Sequence, residues 1–159
     1  MSLRDRIQTE LTTAMRSGDG LRRDVLRMVQ NAAYGIEKRE RRELSDDELL
    51  AVLAREVKTR RESIDAFRKG GREDLAVREE AEIGILQAFL PQPLTEAELR
   101  QLVDEAIAAS AASSPRDMGK AMGWLAPRIR GRADGKIVSG MVATALARRD
   151  LDAHDEAGH

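Results

Sequence analysis

Apolar residues recur every three or four positions along most of the chain, the spacing that gathers them on one face of an α-helix. Leu3, Ile7, Leu11 and Met15 set a first helix, which Gly18-Asp19-Gly20 interrupts. A second runs from about Leu21 to Arg42, with Val25, Leu26, Val29, Ala32, Ala33 and Ile36 on one side and arginines and glutamates on the other. The third begins on a strong local signal: Ser45 caps, Glu48 completes a capping box, and Leu44 is placed to staple onto Leu49. Its seam of Leu49, Leu53, Val57, Arg60, Ile64 and Phe67 puts an arginine where an apolar residue is expected, and Gly70-Gly71 stops it near Arg68. The fourth carries Leu75, Ile83, Leu86 and Leu90, with Glu79 and Glu82 on or beside the stripe, and ends at Pro91-Gln92-Pro93. An antiparallel pair of helices three and four, with Arg60 bonded to Glu79 or Glu82, follows from this pattern.

The same start signal returns at Leu94-Thr95-Glu96-Ala97-Glu98-Leu99. Helix five uses Leu99, Leu102, Val103, Ala106 and Ile107 before the small-residue connection from Ser110 to Ser114. Pro115 suits the first turn of helix six, which is expected to end or kink near Pro127. Gly131-Arg132-Ala133-Asp134-Gly135 reads as a turn, and Asp134 as the cap of helix seven, whose apolar side holds Ile137, Val138, Met141, Val142, Ala145 and Leu146. From Asp150 the pattern fades, and a flexible end is expected. The fold expected is therefore all-α: an N-terminal bundle of about four helices over residues 1–93, a three-helix domain over 94–149 and an acidic tail over 150–159.

Composition narrows the chemistry. The chain has 159 residues and only four aromatics, with no cysteine and with both histidines, His154 and His159, among the last six positions. Disulfides, Cys/His zinc sites, thiol nucleophiles and a histidine general base in the folded body are thereby excluded. No apolar stretch approaches the roughly 18 residues of a membrane span, and the N-terminus lacks a signal-peptide core, so a cytoplasmic protein is expected. Glu79, Glu80 and Glu82 are read as surface or ion-pair residues rather than metal ligands. No phosphate loop, nucleophile elbow or dinucleotide fingerprint occurs, so neither catalytic residues nor a cofactor are expected.

Residues 1–93 carry 18 basic and 18 acidic side chains, residues 94–149 carry 9 and 6, and residues 150–159 carry 4 acids and no base. The excess gathers at Arg116, Lys120, Arg128, Arg130, Arg132 and Lys136. Basic side chains around a glycine-containing turn suit phosphate, since glycines let backbone N–H groups approach the anion. The competing reading is a solvated, arginine-rich helical surface. Gly119 and Gly123, one turn apart, cost a helix roughly 1 kcal/mol each, so close approach by another body is expected at that face. A neighbouring helix is the simpler candidate and a ribose-phosphate backbone the sharper one, with Trp124 and the methionines assigned to the core.

Several strings taken together resemble the GatB/YqeY family: Glu62-Ser63-Ile64 with Phe67, Gly71-Arg72 before Asp74-Leu75, Glu79 with Glu82, Leu90-Pro91, Met118-Gly119-Lys120, and Gly131 to Gly135 followed by Val138 and Val142. The resemblance extends over about Leu3 to Leu146, although Phe89 stands where the family usually has Tyr. It implies a stand-alone relative of the C-terminal tail of the glutamyl/aspartyl-tRNA amidotransferase B subunit. That tail helps hold tRNA while other domains transfer nitrogen from glutamine. The resemblance carries over Gly119, Lys120, Gly131, Arg132, Asp134 and Gly135 as binding candidates, Asp134 having the competing role of helix cap. Together with the basic patch, the candidate nucleic-acid-binding set is Gly119, Lys120, Arg128, Arg130, Gly131, Arg132 and Lys136, with tRNA as ligand and an amidotransferase or aminoacyl-tRNA synthetase as partner. A helical protein-interaction module without RNA is the alternative, and self-sufficient amidase or ligase chemistry lacks its usual residues.

Overall fold

A computed structural model describes residues 1–158; His159 lies outside the described residues. Seven α-helices and no strand occur among them, so the all-α expectation holds. The chain forms two compact units, Met1–Pro91 and a second from Gln92 onward.

The first unit contains α1 (Leu3–Ser17), α2 (Gly20–Glu40), α3 (Asp46–Lys69) and α4 (Glu73–Gln87). Both halves of the Ser45 capping box are formed, so its local sequence fixes the start of α3. Gly71 adopts φ 72°, the left-handed turn that lets α4 fold back on α3. Leu26, Leu53 and Leu86 are fully enclosed, with Val25, Val29 and Ile64 around them. In α1 the apolar face shifts: Ala14 is buried and Met15 is 53% exposed, because Leu11 is followed inward by its i+3 rather than its i+4 neighbour.

Arg60 is buried with 4% of its surface exposed. Its Nε donates to Glu82 at 2.9 Å and its Nη1 to Glu56 at 2.7 Å, while Glu79 lies 4.0 Å away. The cross-helix pairing read from the seam is present, reinforced by a same-helix carboxylate. Glu80 points elsewhere and pairs with Arg68, so Glu79, Glu80 and Glu82 do not converge.

The second unit comprises α5 (Glu96–Ala109), a 3-10 turn at Pro115–Asp117, α6 (Met118–Ile129) and α7 (Gly135–Ala157). Thr95 and Glu98 form the second capping box. Val103, Ala106, Ile107, Leu125, Val138 and Leu146 pack the centre. α6 ends at Ile129, two residues past Pro127, near where the proline places its end: Pro127 and Gly123, whose carbonyl would receive the missing N–H bond, both lie on the exposed side, and buried Leu125 and Ile129 hold the helix across the gap. Two expectations are corrected here. Beyond Arg149, α7 continues to Ala157 as an exposed extension, because no Gly or Pro interrupts it and helix continuation needs no apolar pattern. Ile137, assigned to the apolar side of α7, is 60% exposed, since Val138, Val142 and Leu146 alone define the buried stripe.

Candidate nucleic-acid interface

Burial of Ala121, Leu125 and Ile129 turns one face of α6 into its unit's core. The opposite face, formed by Gly119, Lys120, Gly123, Ala126 and Pro127, is exposed, and Arg116 lies exposed on the preceding turn. A methyl group built on Gly119 or Gly123 would meet no heavy atom within 4 Å. Within the second unit, the expectation that a neighbouring helix explains these glycines is therefore overturned. The stripe is bare helix surface, with the Arg116 and Lys120 cations beside it.

Lys120 Nζ lies 3.7 Å from Asp117, which is itself anchored: the Ser113 backbone N–H donates to its carboxylate at 2.9 Å. That bond, with help from the Lys120 charge, holds Asp117 below the usual carboxylate range. The Lys120 side chain remains 65% exposed.

The turn after α6 is occupied with holding itself together. Gly131 takes φ 72°, a left-handed conformation that accounts for glycine there. Arg132 Nε donates to the Gln92 carbonyl at 2.9 Å, and its own carbonyl accepts the Leu94 N–H at 2.9 Å. This two-bond clip ties residues 92–94 to the second unit and explains why the division falls after Pro91 rather than after Pro93. Asp134 accepts the Lys136 N–H at 2.9 Å as the cap of α7. Arg128 lies over the Trp124 ring at 3.7 Å and donates to the Trp124 carbonyl at 2.6 Å, so Trp124 is half-buried and capped by a cation rather than enclosed. Arg130 is exposed at the end of α6 and is also engaged within the fold.

Of the seven candidate residues, Gly119, Lys120 and Lys136 are presented openly, whereas Arg128, Gly131 and Arg132 have structural work. Arg116 and Gly123, outside the candidate set, share the open face of Gly119 and Lys120; their i, i+3 and i, i+4 spacing from those two residues is the signal that places them there. No group of three or more side chains suited to a metal ion occurs among the described residues. None of their helices is long and apolar enough to cross a membrane.

A family profile described as Yqey-like protein matches residues 4–146. The chain is 31% identical over 137 residues to "Altered inheritance of mitochondria protein 41, mitochondrial" of Pyrenophora tritici-repentis, covering 84% of this chain and 75% of that protein. It is also 44% identical over 48 residues to the uncharacterized protein C22F3.15 of Schizosaccharomyces pombe, covering 30% of this chain and 39% of that protein.

Proposed function

The chain belongs to the Yqey-like protein family, and from that premise we propose that its second unit binds tRNA as an accessory to an enzyme, in the manner of the amidotransferase tail it resembles. The carrying observation is the open α6 face, where bare helix at Gly119 and Gly123 lies beside Arg116 and Lys120. A phosphate backbone is a ligand whose contacts reward both features: close approach without side chains, and flanking positive charge. The chain itself contributes binding and positioning; glutamine-dependent carbon–nitrogen chemistry belongs to a partner amidotransferase or aminoacyl-tRNA synthetase. We further propose that this takes place in the cytoplasm.

The test is titration of the full chain into labelled bulk tRNA at several salt concentrations. Saturable binding is expected, weakened severalfold by Lys120→Ala with the salt slope reduced by about 0.7–0.9 for the lost phosphate contact. Gly119→Leu, which fills open space, is expected to block binding while the far-ultraviolet circular dichroism stays helical. Arg132→Ala is expected to act differently, lowering thermal stability through loss of the Gln92 clip. Wild-type protein that fails to bind tRNA at low salt refutes the proposal and favours a purely protein-binding module.

A further inference from the structure

A second surface of α7 has the layout of a self-association seam. Ile137, Gly140, Thr144, Ala147 and Leu151 are all exposed and lie along one side of the helix at alternating steps of three and four residues. The seam begins and ends on large apolar side chains, Ile137 at 60% and Leu151 at 65% exposure. Between them are only small residues, which allow helix axes to approach to about 8 Å. Its rise is about 21 Å at 1.5 Å per residue. Beside it, Arg100 and Val103 of α5 form the other wall of an open groove of about 810 Å³.

Charge identifies the occupant. α7 is capped by Asp134 and carries Lys136 in its first turn; after Arg148 and Arg149, its last turns hold Asp150, Asp152, Asp155 and Glu156 with His154 as the one basic residue, so acidic charge crowds the negative pole of the helix dipole. An antiparallel partner of the same sequence corrects this, since each acidic end then faces the other copy's positive helix start. With Thr144 on the two-fold axis, Ile137 meets Leu151 of the other copy, and Lys136 stands opposite its Asp152. Parallel pairing would instead set four acids against the same four.

We propose that this face of α7 binds a second copy of the chain, antiparallel and centred on Thr144. The interaction is independent of RNA. The short seam gives a weak dimer, of the concentration-sensitive class formed by small interfaces.

Sedimentation equilibrium of the full chain, free of nucleic acid, tests this. Wild-type protein is expected to dimerise reversibly, less tightly as salt rises. Ile137→Lys and Leu151→Glu are each expected to weaken the dimer tenfold or more, and the two together to recover most of the loss, because the substituted positions meet across the axis. Thr144→Arg should abolish association by bringing two cations together. All three positions are exposed, and circular dichroism checks that each variant is folded. Wild type that remains monomeric into the millimolar range overturns the proposal, whatever other protein then covers this face. So does a double variant as weak as either single one, since parallel pairing predicts that result.

Discussion

Gly123→Ala separates the two meanings of an exposed helical glycine. Glycine in a helix interior costs about 1 kcal/mol relative to alanine, mostly through backbone entropy. That gain is cancelled only where the new methyl collides with something. At Gly123 it meets no heavy atom within 4 Å, so nearly the full propensity difference should appear as added stability. One kcal/mol corresponds to a rise in Tm of roughly 4–8 °C if the second unit melts alone, or roughly 2–4 °C if the whole chain melts together. Differential scanning calorimetry gives the value, and the same protein titrated into tRNA gives the functional counterpart. The expected pair of results is a more stable protein that binds RNA less well. A destabilised variant would refute the reasoning by showing that the α6 face is packed in solution. A stabilised variant with unchanged RNA affinity, together with tight binding by Gly119→Leu, would remove the glycines from the interface.

Further expectations concern strain and buried charge. Arg60→Leu strands Glu56, Glu79 and Glu82 around an apolar side chain; it should cost about 3 kcal/mol in urea unfolding, at the low end for a broken buried pair because the carboxylates keep some water, and Glu82→Leu added to it should restore part of the loss. Glu79 is raised above the usual glutamate value by burial, with the Glu82 charge adding to it against the pull of Arg60. Its ionised form therefore opposes folding at neutral pH, so Glu79→Gln should raise Tm there and lose that advantage as the pH falls below the unfolded glutamate value of about 4.3. Ala111 holds φ 53° after α5; Ala111→Gly relieves a left-handed strain of about 1–2 kcal/mol against an entropy loss of about 0.5–1, and should stabilise by roughly 0.5–1 kcal/mol in thermal melts.

What the sequence carries openly is what neighbours in the chain decide. Ser45 with Glu48 and Thr95 with Glu98 announce helix starts because a capping box is complete within four residues. Arg60 is legible for a related reason: helix periodicity places it in an apolar seam, where a buried guanidinium calls for carboxylates, and the glutamates of the returning helix supply them across the pair; the same-helix Glu56, one turn before it, is the partner that reading missed. The Arg132 clip to Gln92 spans 40 residues and has no local sign, so a residue that looks like free positive charge is a fastener. Gly119 and Gly123 are ambiguous because missing side chains mean close approach without saying from what; only the open surroundings exclude a helix of the same unit. The continuation of α7 past Arg149 was hidden because a helix without a buried face leaves no hydrophobic period to read.

The same distinction between charge present and charge available governs the RNA reading. Six cations lie between Arg116 and Lys136, and if all tracked phosphates the logarithm of affinity would fall with that of salt at a slope of about −5. Arg132 is pinned to Gln92, Arg128 is stacked on Trp124 and bonded to its carbonyl, and Arg130 is engaged within the fold. Arg116 and Lys136 are left to follow the ligand, together with Lys120, whose 65%-exposed side chain can exchange its 3.7 Å pair with Asp117 for a phosphate, giving a slope of about −2.5. Fluorescence titrations of tRNA across a fivefold range of salt distinguish the two values. A slope near −5 would mean that the turn releases its arginines on binding, and Arg132→Ala would then reduce it by as much as Lys120→Ala. A slope near −2.5, unchanged by Arg132→Ala, would make the α6 face the binding surface and the Gly131 to Gly135 turn its frame.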